Sequence, residues 1–354
     1  MPLIIEGDRM PAHWKGKGSS PAQPVKQREA GAERVRIAFI NNMPDPALED
    51  TEAQFFSLLE TAAGNVPVSV KLYSLPGVPR GDRGAEHLKN FYSGIAGLWD
   101  SQFDAVIMTG TEPRSANLRD EPYWSAMGEV LDWAESNTIS TVLSCLAAHA
   151  AVLHRDGIPR HPLGDKQFGV FESTKLGDHE LTNHAAPLMR FPHSRWNEVR
   201  EDELIACGYE VLTRSADAGV DLFVKKKKKS LFVNFQGHPE YTERTLLKEY
   251  RRDIKRFLRR ERETYPSMPH GYFDAAATKL LSEFQRKALA HPREEQMAHF
   301  PEAAVVDVLE NTWESSATCI YRNWLQYVVE RKTEAPGVAL ARGRRRALAN
   351  HELA

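Results

Sequence analysis

Between residues 35 and 154, short apolar runs alternate with amphipathic helical patterns, and this alternation limits the fold more than any other feature of the chain. Val35–Ile40 reads as a strand, and residues 50–63 read as a helix with Phe55, Leu58 and Leu59 on one side. Val68–Tyr73 is a second strand, and Ala105–Met108 is a short buried one that ends at Thr109-Gly110. Residues 121–136 carry Trp124, Met127, Leu131 and Ala134 at helical spacing. Residues 141–143 form another buried strand, which runs straight into a helix over about 146–154. A βαβα order of this kind predicts an α/β three-layer sandwich around a mostly parallel sheet covered on both faces.

After Gly169 the apolar runs shorten (210–213, 222–225, 231–235), which predicts a more antiparallel flank. Residues 242–262 read as a long helix with Leu246, Leu247, Tyr250, Ile254, Phe257 and Leu258 inward. Residues 274–310 read as an added helical segment, and 313–329 as a last apolar stretch packed on the sheet. Residues 1–33, rich in proline, lysine and glycine, read as a mobile arm. Residues 336–354, with Arg342 to Arg346, read as a basic tail, leaving 34–335 as one domain.

Charge narrows the partners. With 46 basic and 48 acidic residues the net charge is −2, so no overall field draws the chain to nucleic acid or a membrane. Small-molecule substrates are expected instead. The N-terminus lacks the apolar core of a signal peptide, and no uncharged run approaches a membrane-spanning helix. Cys145, Cys207 and Cys319 are far apart, with neither metal-ligand spacing nor a disulfide framework. The expectation is a cytoplasmic protein, assembled as a homodimer, with no metal and no bound cofactor.

Cys145 sits at the sharpest punctuation in the pattern, directly after a strand and directly before a helix. A strand-to-helix turn of that kind pushes its middle side chain out at the carboxyl end of the sheet, where open α/β sheets place their sites. The helix start favours a thiolate, and backbone N–H groups there, that of Leu146 first, are placed to hold an oxyanion. The competing reading is that a free cysteine is a small buried hydrophobe. That reading applies to Cys207 and Cys319, which lack this context.

A thiol nucleophile needs a base, and the base needs a partner that fixes its tautomer. Gly237-His238-Pro239-Glu240 follows the strand at 231–235. Pro239 biases His238 toward extended backbone, in which residues two apart share a face. Glu240 then sits beside His238 and accepts its N–H. His154, His161, His179 and His184 have no such partner and read as surface or loop residues.

Together these residues resemble the homoserine O-acyltransferases, the transsuccinylases of methionine biosynthesis, which have a glutamine amidotransferase-like fold. The resemblance spans about residues 35–330. Its motifs are Asn42-Met43-Pro44, Thr51-Glu52-Ala53-Gln54, Phe103-Asp104, Thr109-Gly110, Tyr123-Trp124 and Ser144-Cys145. They continue with Phe168-Gly169-Val170-Phe171-Glu172, Pro192-His193-Ser194-Arg195, Gly237-His238-Pro239-Glu240-Tyr241, Glu249-Tyr250, Arg252-Asp253 and Asn323-Trp324-Leu325. The resemblance implies that Cys145 is the acylated nucleophile, His238 the base and Glu240 its orienter. It further implies that Arg252 binds the amino-acid carboxylate, that Ser194 lines the substrate pocket, and that acyl-CoA is the co-substrate.

The chain departs from the family pattern in several places. The Lys that follows Met-Pro in the family is missing from Asp45-Pro46-Ala47-Leu48-Glu49-Asp50. Leu146-Ala147-Ala148-His149 replaces Trp-Gly-Ala-Gln, and Trp313-Glu314-Ser315-Ser316 replaces Trp-Arg-Ser-His. Arg114 stands where the family carries a Gly or Glu resembling an acyl-group selector, so Arg114 is a candidate partner for a succinyl carboxylate. Lys225 to Lys229 reads as a charged hairpin tip rather than a phosphate site. The expected function is ping-pong transfer of a succinyl or acetyl group to homoserine or a similar hydroxy amino acid such as serine. The rivals are a glutaminase-type amidotransferase and a non-catalytic binding homologue.

Overall fold

The computed structural model of the protein describes residues 3–7 and 34–334. The strands in chain order are β1 (Leu3–Glu6), β2 (Val35–Ile40), β3 (Val68–Tyr73), β4 (Ala105–Met108), β5 (Ser140–Ser144) and β6 (His161–Lys175). They continue as β7 (Leu188–Glu198), β8 (Glu210–Val211), β9 (Thr213–Ser215), β10 (Gly219–Val220), β11 (Leu222–Lys227) and β12 (Ser230–Phe235). The helices are α1 (Asp45–Ala63), α2 (Asp82–Phe91), α3 (Ala96–Trp99), α4 (Trp124–Asn137) and α5 (Leu146–Asp156). After them come α6 (Glu201–Ala206), α7 (Thr245–Leu258), α8 (Ala275–Ala290), α9 (Glu302–Val306) and α10 (Glu314–Glu334).

Among the described residues the main sheet has eight strands in the order β1-β3-β2-β4-β5-β12-β11-β8. Pairing is parallel from β1 through β12, and β11 and β8 add the antiparallel flank. Alternate residues of the parallel strands face opposite helical layers. Ile37 and Phe39 pack with α1 and α10 on one side, while Ala38 and Ile40 pack with α4 and α5 on the other. The result is the three-layer α/β sandwich expected from the alternation.

Four local readings need correction. Leu3–Glu6 is not part of a mobile arm but an edge strand parallel to β3. Leu3 is 0% and Ile5 4% exposed, so two alternating apolar side chains suffice to dock it. The rest of the arm, and the Arg342 to Arg346 tail, lie outside the described residues. Helix α1 starts at Asp45 rather than residue 50, because Pro46 in the first turn donates no N–H that the turn would need. Helix α7 is shorter than residues 242–262, since residues 243–244 and 259–260 form turns at its two ends.

The fourth correction is larger. Residues 161–198 contain two long strands, β6 and β7, which pair antiparallel and join β9 and β10 in a separate four-stranded sheet. The start of β6 is polar and half-exposed, which hides the period-2 signal. The stretch at 313–329 lies mostly within α10, whose Tyr321, Trp324 and Leu325 are buried against the sheet, with the Trp324 indole donating to Ser140 Oγ at 2.9 Å. The lysine run does lie on a hairpin, but only Lys228 and Lys229 form its tip. Lys225 is drawn back over Tyr209 and pairs with Asp156 at 2.7 Å.

Candidate active site

The position of Cys145 is built by geometry that no ordinary residue adopts freely. Strand β5 ends at Ser144, α5 begins at Leu146, and Cys145 between them has φ 51° and ψ −108°. That strained conformation turns the side chain out of the sheet. Cys145 N–H donates to Phe235 O at 2.8 Å, which extends the parallel β5–β12 ladder by one step and brings the end of β12 beside the sulfur. Gly110, at the end of β4, backs the start of α5. A Cβ there would meet Leu146 Cβ at 2.6 Å and lie 3.0 Å from the Leu146 nitrogen, so the glycine keeps the ground beside that N–H open. As the first helical residue, Leu146 has no partner for its N–H within the helix.

His238 and Glu240 meet as expected, but by a different backbone route. Residues 238–241 form a turn rather than extended chain, closed by Tyr241 N–H to His238 O at 3.2 Å. Glu240 Oε1 accepts from His238 Nδ1 at 2.8 Å, which leaves Nε2 free for the Cys145 sulfur, with which the His238 ring interacts electrostatically. Burial alone would push the His238 imidazole down. The Cys145 sulfur and Glu240 carboxylate outweigh that and hold it well above its ordinary value, favouring the imidazolium. Tyr241 stacks on the imidazole with centroids 4.2 Å apart.

The peptide that carries His238 is clamped from behind. His238 N–H donates to Pro192 O and Gly237 N–H to Asp221 Oδ1, each at 2.8 Å. A Cβ at Gly237 would approach Asp221 Oδ1 and Pro192 O to 2.8 Å, so only glycine fits. Asp221, His193 and Arg195 form a buried polar layer beneath. Arg195 Nε donates to His193 Nδ1 at 3.3 Å, and His193 Nε2 faces Asp221 Oδ1 at 3.5 Å. Burial pushes the Asp221 carboxyl up to about 6, against the pull of Gly237 N–H, Arg195 and His238. Arg195 and Arg160 both interact electrostatically with Cys145.

Ser194 and Arg252 are brought together through Glu249, a residue to which the sequence alone assigns no role. Glu249 Oε1 accepts from Tyr241 OH at 2.6 Å, while its Oε2 accepts from the Ser194 hydroxyl and from Lys166 Nζ at 3.3 Å. Burial would raise the Glu249 carboxyl, but Lys166, Arg252, Ser194 and Tyr241 hold it below its usual value. Arg252 lies 3.8 Å from Glu249 and donates to Asp253 at 3.1 Å, with its side chain still 48% exposed. One carboxylate therefore links the ring that stacks on His238 to a serine and two cations.

Arg114 stands apart from this cluster. Its side chain is exposed, and the loop is held by Glu121 Oε1, which accepts from the backbone N–H groups of Arg114 and Ser115 at 2.6 Å each. Glu112 faces Arg256 at 3.6 Å rather than Arg114. Arg160 lies under the same loop and donates to Ser115 O and Ala116 O. The five lysines at 225–229 lie at the far end of β11 and β12, a strand length from Cys145. Among the described residues no three His, Cys, Asp or Glu side chains gather as metal ligands, and no helix is long and apolar enough to cross a membrane.

A family model for homoserine O-succinyltransferase matches residues 20–335. The chain belongs to the homoserine O-succinyltransferase family. A homoserine O-succinyltransferase from Rhodopseudomonas palustris is 44% identical over 298 residues, 84% of this chain and 89% of that protein. Relatives of the same name from Methylorubrum extorquens and Bradyrhizobium japonicum are 43% and 40% identical. They cover 84% and 93% of this chain, and 88% and 100% of their own lengths. Among solved structures, a glutamine amidotransferase from Thermotoga maritima gives a TM-score of 0.44 at 14% identity, over 84% of this chain and 99% of that one.

Proposed function

We propose that this member of the homoserine O-succinyltransferase family moves the succinyl group of succinyl-CoA to the side-chain hydroxyl of homoserine through an acyl-Cys145 intermediate. The observation that carries the reading is the positive-φ Cys145 beside an imidazole whose other nitrogen is held by Glu240. The relatives' names supply the acyl group and the acceptor.

The Cys145 thiolate attacks the thioester carbonyl, and the oxyanion forms against the Leu146 N–H at the start of α5. CoA thiolate leaves and takes the proton held by His238. The exchange of one thioester for another is nearly isoenergetic, which suits a cysteine to this donor. Neutral His238 then takes the proton of the homoserine hydroxyl as its oxygen attacks the acyl-cysteine, and the Cys145 thiolate departs. Arg252 matches the acceptor carboxylate with a planar two-donor fork, and Ser194 lies within the same cluster.

Intact-protein mass spectrometry after exposure to succinyl-CoA or acetyl-CoA alone tests this directly. The expected result is one succinyl adduct on the wild type that disappears when homoserine is added. An adduct that homoserine fails to discharge, or no adduct from succinyl-CoA, refutes the reading.

A further inference from the structure

Cys145 and His238 are carried by different strands that part company at the site. Beyond the Cys145 N–H to Phe235 O bond, one chain turns into α5 and the other into the turn at 238–241. A second tie is made one helical turn later. His149, whose N–H donates to Cys145 O at 3.2 Å, is bonded through Nε2 to Gln236 Oε1 at 2.9 Å. Gln236 stands two residues before His238. We propose that His149 is a positioning residue that sets the placement of Cys145 against His238 by donating a hydrogen bond to Gln236.

The direction of that bond is fixed by the surroundings. Gln236 Nε2 donates to Val199 O at 3.2 Å and Val220 O at 2.7 Å, while Oε1 also accepts from Val199 N–H at 2.9 Å. The amide cannot be flipped without setting donors against donors, so Oε1 faces His149 and the imidazole must carry its proton on Nε2. Burial, reinforced by the nearby Arg195 and Arg160 cations, holds the His149 imidazole down at about 3, so it stays neutral wherever the enzyme works. His149 is 2% and Gln236 0% exposed, so water has no access to replace a lost donor. A Gln side chain also ends in an N–H donor, so the tie needs a donor of that reach rather than an ionisable group.

The inference rests on Cys145 and His238 acting as a pair, and the test separates the two. His149→Leu and His149→Gln are compared with the wild type for kcat and for the pH profile of Cys145 alkylation by iodoacetamide, followed by mass spectrometry. The wild type should alkylate readily at neutral pH; if it behaves as a free thiol, the paired-site reading fails instead. His149→Leu should lose roughly tenfold to a hundredfold in kcat, as expected for a misplacement of about 1 Å. Its alkylation profile should move toward that of an unassisted thiol, and His149→Gln should restore both to within a few fold. If His149→Leu does not fold, His149→Asn, which keeps an amide but falls short of Gln236, must show the same two changes. In the wild type, 15N–1H NMR should report a neutral Nε2–H imidazole for His149 that does not titrate between about pH 5 and 8. A folded His149→Leu or His149→Asn with the wild-type alkylation profile, or an Nδ1–H tautomer, overturns the inference.

Discussion

The Ser144 hydroxyl donates to Glu240 Oε1 at 3.1 Å, the same oxygen that accepts from His238 Nδ1 at 2.8 Å. The residue before Cys145 therefore holds the carboxylate that orients the His238 imidazole. Glu240→Gln should cost about 10³–10⁴ in kcat by losing the charge that supports the imidazolium. Ser144→Ala should cost only roughly tenfold, the worth of one hydrogen bond to a charged group. Adding Glu240→Gln to His238→Asn should change little beyond His238→Asn alone, because the two act as a unit. Steady-state kinetics of these variants decide it, and multiplicative losses would show that Glu240 does not act through His238.

Cys145→Ala should abolish both the succinyl adduct and turnover, while Cys207→Ala and Cys319→Ala keep both. The same variant tests the electrostatics of the pair. Because the folded-state value of His238 is raised, its stabilising contribution is complete below about 6.5 and fades as pH rises through the folded value. Removing the Cys145 sulfur removes the first of the partners that raise it. In Cys145→Ala the fall in denaturation midpoints should therefore begin at the same pH, set by the unfolded imidazole, but end at a lower pH and be smaller in total. Identical stability–pH curves for the two proteins would contradict that assignment.

Asp221 predicts a pH dependence at the other end of the scale. Its carboxyl is raised from 3.8 to about 6, so its contribution is fully present below 3.8 and is lost as pH climbs to about 6. Asp221→Asn still offers an oxygen to Gly237 N–H but has no charge to bury. It should gain stability relative to the wild type as pH rises from about 4 to 6, by at most about 3 kcal/mol, and hold that gain above. Urea denaturation at several pH values measures it, and a difference that does not vary with pH would count against a buried, reluctantly ionised Asp221.

Much of this site is legible in the sequence, for a local reason. Cys145 is flanked without a spacer by a strand and a helix, and His238 and Glu240 are near neighbours in the chain. The parts that are not legible depend on contacts across it. Glu249 lies in a helix crowded with charged residues, and only the fold shows Tyr241, Ser194 and Lys166 converging on it. The His149–Gln236 bond spans 87 positions between two segments that each look like ordinary core edges. Strand β1 escapes a sequence reading because four residues carry too little periodicity to stand out from a proline-rich stretch.

Arg252 should act on the second half-reaction alone. Arg252→Ala is expected to leave succinyl adduct formation on Cys145 intact while raising KM for homoserine. The loss of a paired carboxylate contact at a half-exposed position is worth about 1.5–3 kcal/mol, or roughly tenfold to a hundredfold. Pre-steady-state adduct formation and homoserine titration separate the two halves. A slowed first half-reaction would move Arg252 from the acceptor to the donor side.

The last prediction concerns which cation reads the free carboxylate of the succinyl group. Arg114 occupies the position suggested by the family pattern, but its side chain is exposed and the loop's Glu112 is engaged with Arg256. Arg160 lies beneath the same loop, half-buried, held by the Ser115 and Ala116 carbonyls, and its charge interacts with Cys145. A screened, solvated guanidinium contributes up to about 1 kcal/mol to an ion pair, whereas removing one partner of a buried pair costs about 2–5 kcal/mol. If Arg160 is the reader, Arg160→Gln should lower kcat/KM for succinyl-CoA by roughly thirtyfold or more while Arg114→Ala lowers it by less than about fivefold. Transfer from acetyl-CoA, which has no second carboxylate, should be unchanged in Arg114→Ala and should fall in Arg160→Gln only by the much smaller amount due to the charge lost near Cys145. A selective loss in Arg114→Ala instead would show that the loop folds inward when the donor binds and would return the role to Arg114.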